Sequence, residues 1–277
     1  MKKTLALVLS SVFVFSGIAS AQNSSKTENF SIGLEARIFN LMVAPTLVKE
    51  VSNIPSVIRQ VPSHPDDTWI YGNRRPIITI PDDTVSGLMS GSMGAGISPE
   101  VSAWRFRFRS GISLAIFTFG GPTMGDFGST PAINQYGEAK RGTGTSLVYY
   151  SVYGKTSWKP GLVHEVDFAI TKSALLIVGY SYDNFRIVGQ SGYDRHNSFE
   201  KYRDYDLGKG RIYKKYLGLG FQPEIDKGWR PATVNFLVGK TELKTELDGL
   251  GEGLNIRNGS PWFFQIGSAY HLNSLRK

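Results

Sequence analysis

Apolar and polar residues alternate along the segment from Trp104 to Ile116. One face carries Trp104, Phe106, Phe108, Ile112, Leu114 and Ile116, interrupted only by Ser110, and the other carries Arg105, Arg107, Arg109, Gly111, Ser113 and Ala115. Successive side chains of a strand point to opposite faces, so this strand separates an apolar medium from one that tolerates charge. Thirteen residues at about 3.3 Å each are enough to cross a bilayer at a tilt. The pattern predicts an all-β, antiparallel, up-and-down transmembrane β-barrel.

The same period-2 alternation between turn signals predicts ten strands, or eight if neighbouring segments merge. They cover residues 29–39, 84–97, 102–118, 146–156, 161–171, 174–182, 185–193, 211–221, 232–242 and 261–272. An even number of strands brings both termini to one end of the barrel.

Barrels of this kind join their strands by short turns at one end and by longer extracellular loops at the other. The strand assignment predicts extracellular loops at 40–83, 119–145, 194–210 and 243–260. It predicts short periplasmic turns at 98–101, 157–160, 183–184 and 222–231. The connection 171–173 is unusually short for an extracellular loop.

The first 21 residues resemble a secretory signal peptide. Lys2 and Lys3 are followed by an apolar segment and by Ala19-Ser20-Ala21, a typical cleavage site. We therefore expect a signal peptide at 1–21, one barrel domain at 22–277 and location in the bacterial outer membrane. No later stretch approaches the run of about 20 apolar residues that a membrane helix needs, so a mature chain in a bilayer would have to be a barrel.

Charge and composition narrow the expected partners. The net charge is +8, and without Lys2 and Lys3 it becomes +6, spread along the chain. We therefore expect no nucleic-acid partner and favour outer-membrane lipid, including lipopolysaccharide, as the counter-charge. The absence of cysteine excludes disulfides and thiolate chemistry. Since phosphate-loop and dinucleotide-binding motifs are also absent, we expect no cofactor.

The last predicted strand has a lipid-like face formed by Trp262, Phe264, Ile266, Tyr270 and Leu272. It resembles the closing strand that the barrel-assembly machinery recognises in outer-membrane proteins, which implies that machinery as a partner. Those strands end at an aromatic C-terminal residue, whereas this chain continues from Asn273 to Lys277.

Charged residues on the predicted inner faces form the first candidate site. Arg105, Arg107 and Arg109 share one face of their strand, and Glu165 and Asp167 share the inner face of another. Ion pairs across a narrow lumen would fill it as a polar core. The functional alternative is a constriction that attracts anions.

The second candidate site is Asp194-Arg195-His196, at the start of a predicted extracellular loop. An imidazole two residues from a carboxylate at a strand rim can take a proton from water. This pair resembles the Asp-x-His of omptins, ten-stranded outer-membrane endoproteases that cut next to basic residues and require lipopolysaccharide. The segment 181–185 also resembles the omptin turn before the seventh strand.

The omptin resemblance implies acidic residues opposite the Asp-x-His pair. Residues 120–126 resemble the corresponding omptin loop, so Asp126 would be one of them, with Asp194 and His196 as the dyad. Phe127 and Gly128 follow Asp126, so the second acid of the omptin pair is missing.

Other polar or amphipathic segments carry less specific signals. His64-Pro65-Asp66-Asp67 has the composition of a turn and fits no known metal-binding spacing, so we assign no metal. Apolar residues at helical spacing within 47–61 predict a short helix at or in the barrel mouth, although Pro55 interrupts them.

The sequence favours a non-enzymatic barrel: a narrow pore, an adhesin or a structural surface protein. The alternative is an omptin-like endoprotease. A third possibility, a secreted soluble barrel that binds an apolar ligand, requires the aromatic face to point inward.

Overall fold

The computed structural model describes residues 30–44, 47–62, 77–86, 89–120, 126–129, 133–134, 147–171, 173–195, 198–222 and 232–273. The predicted signal peptide lies outside them. Strands dominate: β1 (Phe30–Ala44), β2 (Val48–Ser52), β3 (Gln60–Pro62), β4 (Ile77–Thr79), β5 (Val85–Ser86), β6 (Met89–Ala103), β7 (Phe106–Gly120), β8 (Asp126–Ser129), β9 (Ile133–Asn134), β10 (Leu147–Thr156), β11 (Gly161–Ala169), β12 (Ala174–Arg195), β13 (Ser198–Phe221), β14 (Ala232–Leu247), β15 (Asn255–Asn258) and β16 (Trp262–Asn273).

Two short helices accompany the strands. Helix α1 spans Ser56–Arg59, and a 3-10 helix spans Gly249–Gly251. Within the described ranges, neither is long and apolar enough to cross a bilayer.

Eight antiparallel strands close into a mostly complete ring. Their order is β1, β6, β7, β11, β12, β13, β14 and β16, and β16 pairs back with β1. The predicted all-β, antiparallel class is therefore confirmed.

Strands β10 and β11 occupy one position in this ring. They lie end to end along the same edge of β12, where Thr156 faces Phe185 and Leu162 faces Tyr182. Residues 157–160 therefore interrupt a single strand, and the predicted turn there is wrong. The other edge of β10 pairs with β8 and β9.

Strand β12 is also longer than predicted. It is continuous from Ala174 to Arg195 and paired with β13 along this whole length, so the predicted turn at 183–184 is wrong. Asp183 and Asn184 suggest a turn by composition, but both take regular places in the ladder, opposite Ile212 and Arg211. These two mergers turn ten predicted segments into eight strand positions.

The mergers also explain the unusually short connection near residue 172. With eight strand positions, this connection joins β11 to β12 at the end of the ring that also holds the β6–β7 turn. The first and last described residues lie at the same end. The longer connections 45–88, 121–146 and 248–261 lie at the opposite end, which we call the loop end. The predicted loop 194–210 is wrong, because β13 begins at Ser198.

The predicted turn at 98–101 is also wrong. Ser98-Pro99 resembles a turn signal, but β6 continues through it with Ser98 paired to Glu35 and Glu100 paired to Gly33 on β1. The chain reverses at Trp104-Arg105 instead, where Trp104 has a φ of 54°.

A continuous belt of apolar side chains covers the outside of the ring. Seven outward residues on seven neighbouring strands form one row, in which each residue is the direct ladder partner of the next. Their side chains are between 37% and 51% exposed. In order, the row consists of Leu176, Leu219, Phe236, Ile266, Leu41, Met93 and Ile116. Soluble monomers rarely expose a contiguous apolar surface of this extent.

Toward the loop end, the outer face of the strands becomes charged and the inner face becomes more apolar. On β13, Leu217 and Leu219 point outward below this level, whereas Lys209 and Arg211 point outward above it. The inner face there becomes apolar, since Leu207 and Ile212 are fully buried. One strand thus contacts two different surroundings on its outer face.

The first long connection closes the loop end of the ring. Val48, Val51, Ile54 and Ile58 in this segment are fully buried, and Ile58 packs against Gly189 of β12. The predicted helix is limited to the single turn α1, because Val48–Ser52 forms β2 and pairs with β15. We call residues 47–62 and 77–86 the cap.

Hydrogen bonds tie the two halves of the cap together. Arg59 donates from Nη1 to the carbonyl of Ile80 at 2.7 Å and from Nε to the carbonyl of Ile54 at 3.0 Å. Tyr150 of β10 donates its hydroxyl proton to the carbonyl of Asp82 at 2.7 Å. These hydrogen bonds therefore hold the two halves of the cap together and fix the cap to strand β10.

We expect Ile58→Ala to loosen the cap, because it leaves a cavity between α1 and β12; such truncations cost about 2–5 kcal/mol. Limited digestion with proteinase K should cut the variant within the cap faster than the parent protein. Lys49→Ala, at an exposed position of the same segment, is the control. Equal digestion rates for Ile58→Ala and the parent would contradict this packing.

Candidate functional site

Charged side chains from five strands meet inside the ring, at the level of the apolar belt. Together with Tyr216 they are buried or half-buried, and we call the set the ion cluster: Glu35 and Arg37 of β1, Glu100 of β6, Arg107 and Arg109 of β7, Glu165 and Asp167 of β11, His271 of β16 and Tyr216 of β13.

The register of the sheet places one row of this cluster. Glu165 lies directly opposite Arg109, and Arg109 lies directly opposite Glu100. Acid and base therefore alternate across three strands, which is the arrangement that attracts charged neighbours in a sheet.

Arg37 joins the acids of two strands. Its guanidinium donates to both carboxylate oxygens of Glu165, at 3.1 and 2.6 Å, and to Oε1 of Glu35 at 2.9 Å. Since β1 and β11 are not neighbours in the ring, this contact crosses the lumen. Bidentate pairing of this type is strong and geometrically specific.

Arg109 makes a second crossing. It donates from Nη1 to Oε2 of Glu35, and its Nη2 lies 2.5 Å from Asp167 and 2.8 Å from Glu165. Glu35 and Glu165 are thus each shared by Arg37 and Arg109. The four side chains form a closed set of ion pairs with no exposed member.

Tyr216 donates a further hydrogen bond to Glu165, and its ring fits because residue 179 is a glycine. The phenol donates to Oε1 of Glu165 at 2.6 Å across Gly179 of the intervening strand β12. A Cβ on residue 179 would lie 2.3 Å from a carbon of the Tyr216 ring, closer than real contacts allow. Glycine at this position is therefore a steric requirement.

His271 links the cluster to the last strand. Its Nδ1 lies 2.8 Å from Glu100, and its Nε2 lies 2.7 Å from the hydroxyl of Thr233. Arg107 approaches the same ring to 3.1 Å. The nitrogens already have protein partners, so the imidazole is held within the cluster.

The donor atoms of Glu35, Glu100 and His271 lie within 4.8 Å of one another, as metal ligands do. Both oxygens of Glu35 accept hydrogen bonds from arginines, and His271 is engaged as described. Guanidinium groups therefore occupy the place of a cation, and we assign no metal to this group.

A second buried ion pair lies further toward the loop end. Lys214 donates to Asp183 at 2.6 Å, and Ser113 donates to the other oxygen of Asp183 at 3.0 Å. A polar cavity of about 10 Å³ lies between this pair and Arg37, and Gln265 also lines it. Such a volume holds about one water molecule.

The structure brings together four of the charged residues that the sequence indicated: Arg107, Arg109, Glu165 and Asp167. Arg105 lies elsewhere, exposed in the β6–β7 turn, with its guanidinium 5.8 Å from the centre of the Trp104 ring. The turn ends the alternation, so Arg105 does not take an inward position.

Sequence reasoning missed most of the remaining members of the cluster. Glu35 and Arg37 share the parity of inward Gly33, so a parity check on the first strand would have found them. Glu100 was hidden by the wrong turn at 98–101. Tyr216 has the parity opposite to Leu217, Leu219 and Phe221, so the alternation of its strand indicates an inward position, although nothing local indicates its contact with Glu165.

The predicted omptin-like site is only partly described. His196 lies outside the described residues, and so does the cluster at 64–67. The backbone of Asp126 is level with Val188, and Asp194 lies six residues further along β12, about 20 Å at 3.3 Å per residue. The assignment of Asp126, Asp194 and His196 stays a prediction.

Comparison with models of known protein families and with curated proteins finds no match to this chain.

We expect Glu165→Gln to destabilise the protein by about 3–5 kcal/mol, because it leaves two buried arginines without a full counter-charge. Tyr216→Phe, which removes one hydrogen bond to the same carboxylate, should cost about 1.5–3 kcal/mol. Guanidinium chloride unfolding of the folded protein, followed by tryptophan fluorescence, measures both. Equal stability of Glu165→Gln and the parent would refute the role of the ion cluster.

Proposed function

We propose that the protein is an integral, non-enzymatic β-barrel of the bacterial outer membrane that has a closed lumen and acts through its outer surface. It is exported by the signal peptide 1–21 and assembled by the barrel-assembly machinery. Membrane lipid covers the apolar belt, and the cap faces outward from the cell.

The observation that carries the proposal is the inverted polarity of the ring. Seven exposed apolar side chains form one unbroken row outside. Arg109 and Glu165, each next along its strand to an exposed apolar residue, Phe108 or Val166, are buried inside. Water outside and an apolar core inside would favour the opposite arrangement. A hydrocarbon exterior favours the arrangement seen here.

Aromatic groups at both edges of the belt agree with a bilayer. At the turn end, the rings of Trp104, Phe106 and Phe168 lie 5.1 to 6.5 Å apart on the outside. At the loop-end edge, Tyr213 contacts Tyr180 and Tyr182 at 6.3 and 5.8 Å. Aromatic residues favour the two interfaces of a membrane. The outward aromatics also argue against a soluble barrel with an apolar ligand inside.

Two barriers in series support a closed lumen. The ion cluster joins strands that are not neighbours in the ring through Arg37 and Arg109, and the cap fills the loop end with buried aliphatic side chains. An ion would have to separate buried pairs and displace packed residues. This favours a structural or adhesive surface protein over a narrow pore.

Site-specific labelling tests the membrane position. The chain has no cysteine, so single cysteines at Leu219 or Phe236 can each carry an environment-sensitive fluorophore. In phosphatidylcholine vesicles, we expect quenching of these labels by nitroxide lipids but not by iodide, because both positions face hydrocarbon. Labels at Arg211 and Lys244 are the matched controls on the same strands and should respond to iodide.

Iodide quenching at Leu219 and Phe236, together with solubility of the protein without detergent, would overturn the proposal. A soluble protein would also show no heat-dependent shift in gel mobility. Both results are independent of what the barrel does.

Planar bilayer recording tests whether the lumen is closed. We expect no steady ion conductance from the folded protein, since the cluster and the cap each block the path. A steady conductance that Arg107→Ala alters would instead support a pore. The protein is reconstituted into vesicles that are then fused with the planar bilayer, and its heat-dependent gel-mobility shift in those vesicles shows that folded barrel is delivered, so that absence of current is not confused with absence of protein.

A further inference from the structure

Two pairs of like charges face each other on the outside of β13 and β14. Lys215 lies directly opposite Lys240, and Arg211 lies directly opposite Lys244. All four side chains are exposed. Like charges at directly opposed positions destabilise a sheet, so this arrangement is unfavourable unless something anionic lies between them.

Two exposed acids lie on the same face of β14 as these cations. Glu242 lies between the two pairs and contacts Lys244 at 3.3 Å, and Glu246 lies two residues beyond Lys244, near Arg211. These six residues have a formal charge of +2, the difference between four cations and two carboxylates. We call the four cations and Glu242 the basic patch.

Aromatic rings support the cations of the basic patch. The Lys240 ammonium lies 5.0 Å from the centre of the Trp262 ring, and that of Lys244 lies 5.1 Å from Tyr213. The Arg211 guanidinium lies 5.4 Å from Tyr182. Cation–π contacts hold the charges close to the wall, where they face outward from the barrel.

The basic patch directly adjoins the apolar belt. Lys215 is two residues from Leu217 on the same face, and Lys240 is two residues from Val238. Leu217 and Val238 are themselves a ladder pair. Successive residues of one face are about 6.6 Å apart along a strand, so the first cations lie where hydrocarbon would give way to headgroups.

We propose that the basic patch binds the phosphate headgroup of an anionic membrane lipid, whose acyl chains lie on the belt below Leu217. This inference rests on the membrane position proposed above. A phosphate placed between Lys215 and Lys240 replaces their repulsion by two attractive contacts. Arg211 and Lys244 offer the same at the next like-charge pair, and the rings beside them provide the amphipathic border that a headgroup layer favours.

Native mass spectrometry of the full chain in neutral detergent tests the proposal. Phosphatidic acid, which carries a phosphate monoester, is compared with phosphatidylcholine. We expect at least tenfold stronger retention of phosphatidic acid by the parent protein. Lys215→Gln combined with Lys240→Gln should abolish most of this preference.

A matched control removes two cations that already have acidic partners. Arg186 pairs with Asp206, and Lys209 lies opposite Glu246. Arg186→Gln combined with Lys209→Gln removes the same charge from neighbouring exposed positions and should keep the preference. An equal loss in both double variants would show that net charge alone attracts the lipid and would overturn the assigned site.

Stability gives a second, oppositely signed readout. Without anionic lipid, Lys215→Gln with Lys240→Gln should raise the melting temperature, because it removes a repulsive pair. With phosphatidic acid, the parent protein should gain more than the variant, since ligand binding to the folded state stabilises it. A variant that is less stable in both conditions would contradict the proposal.

The two proposals fail differently. If the protein does not span a bilayer, iodide quenches the labels at Leu219 and Phe236 whichever lipid is present. If it spans the bilayer but retains phosphatidic acid and phosphatidylcholine equally, only the headgroup site is refuted. Inorganic phosphate alone should not raise the melting temperature, because the site needs the acyl chains on the belt.

Discussion

The alternation of side chains in a narrow closed ring constrains everything else in this structure. Within a regular ladder, a residue that points outward places its neighbours inward, and eight strands leave an interior that side chains can fill. A belt of exposed aliphatic residues therefore requires a matching set of inward residues. The chain uses arginines and carboxylates for many of these, and each buried charge then needs a partner from another strand. Glu165 has three such partners on three strands, so one carboxylate links side chains of β1, β7 and β13 to β11.

The reversal of polarity along single strands follows from the same rule. Below the level of Lys215 the outer face is apolar and the inner face carries the ion cluster. Above that level the inner face first carries the buried pair of Lys214 and Asp183 and then packs against the cap with apolar residues, and the alternate outward residues are charged. The apolar and charged residues of the two faces offset one another in the mean hydropathy. Composition alone therefore does not reveal where along the strands the outer face changes from apolar to charged. The basic patch lies at the boundary between them.

The sequence predicted the fold class, the outward face of β7 and β16 and much of the inner charge, because all of these depend on parity within one strand. It failed where a local turn signal competes with long-range pairing. Ser98-Pro99, Asp183-Asn184 and Trp158-Lys159 have the composition of turns, yet pairing with a neighbouring strand continues past each of them. Contacts across the lumen, such as Arg37 with Glu165, depend on register and ring closure. No segment of the sequence contains that information.

The hairpin of β12 and β13 extends far beyond the belt. From Tyr180 at the edge of the belt to Arg195 the chain advances fifteen residues in one continuous strand, about 50 Å along the strand and about 38 Å along the barrel axis at the usual tilt. A lipid headgroup layer is only several ångströms deep. In the membrane position that we propose, whatever contacts the tip of this hairpin therefore does so well beyond the bilayer, while the proposed lipid site lies at its foot.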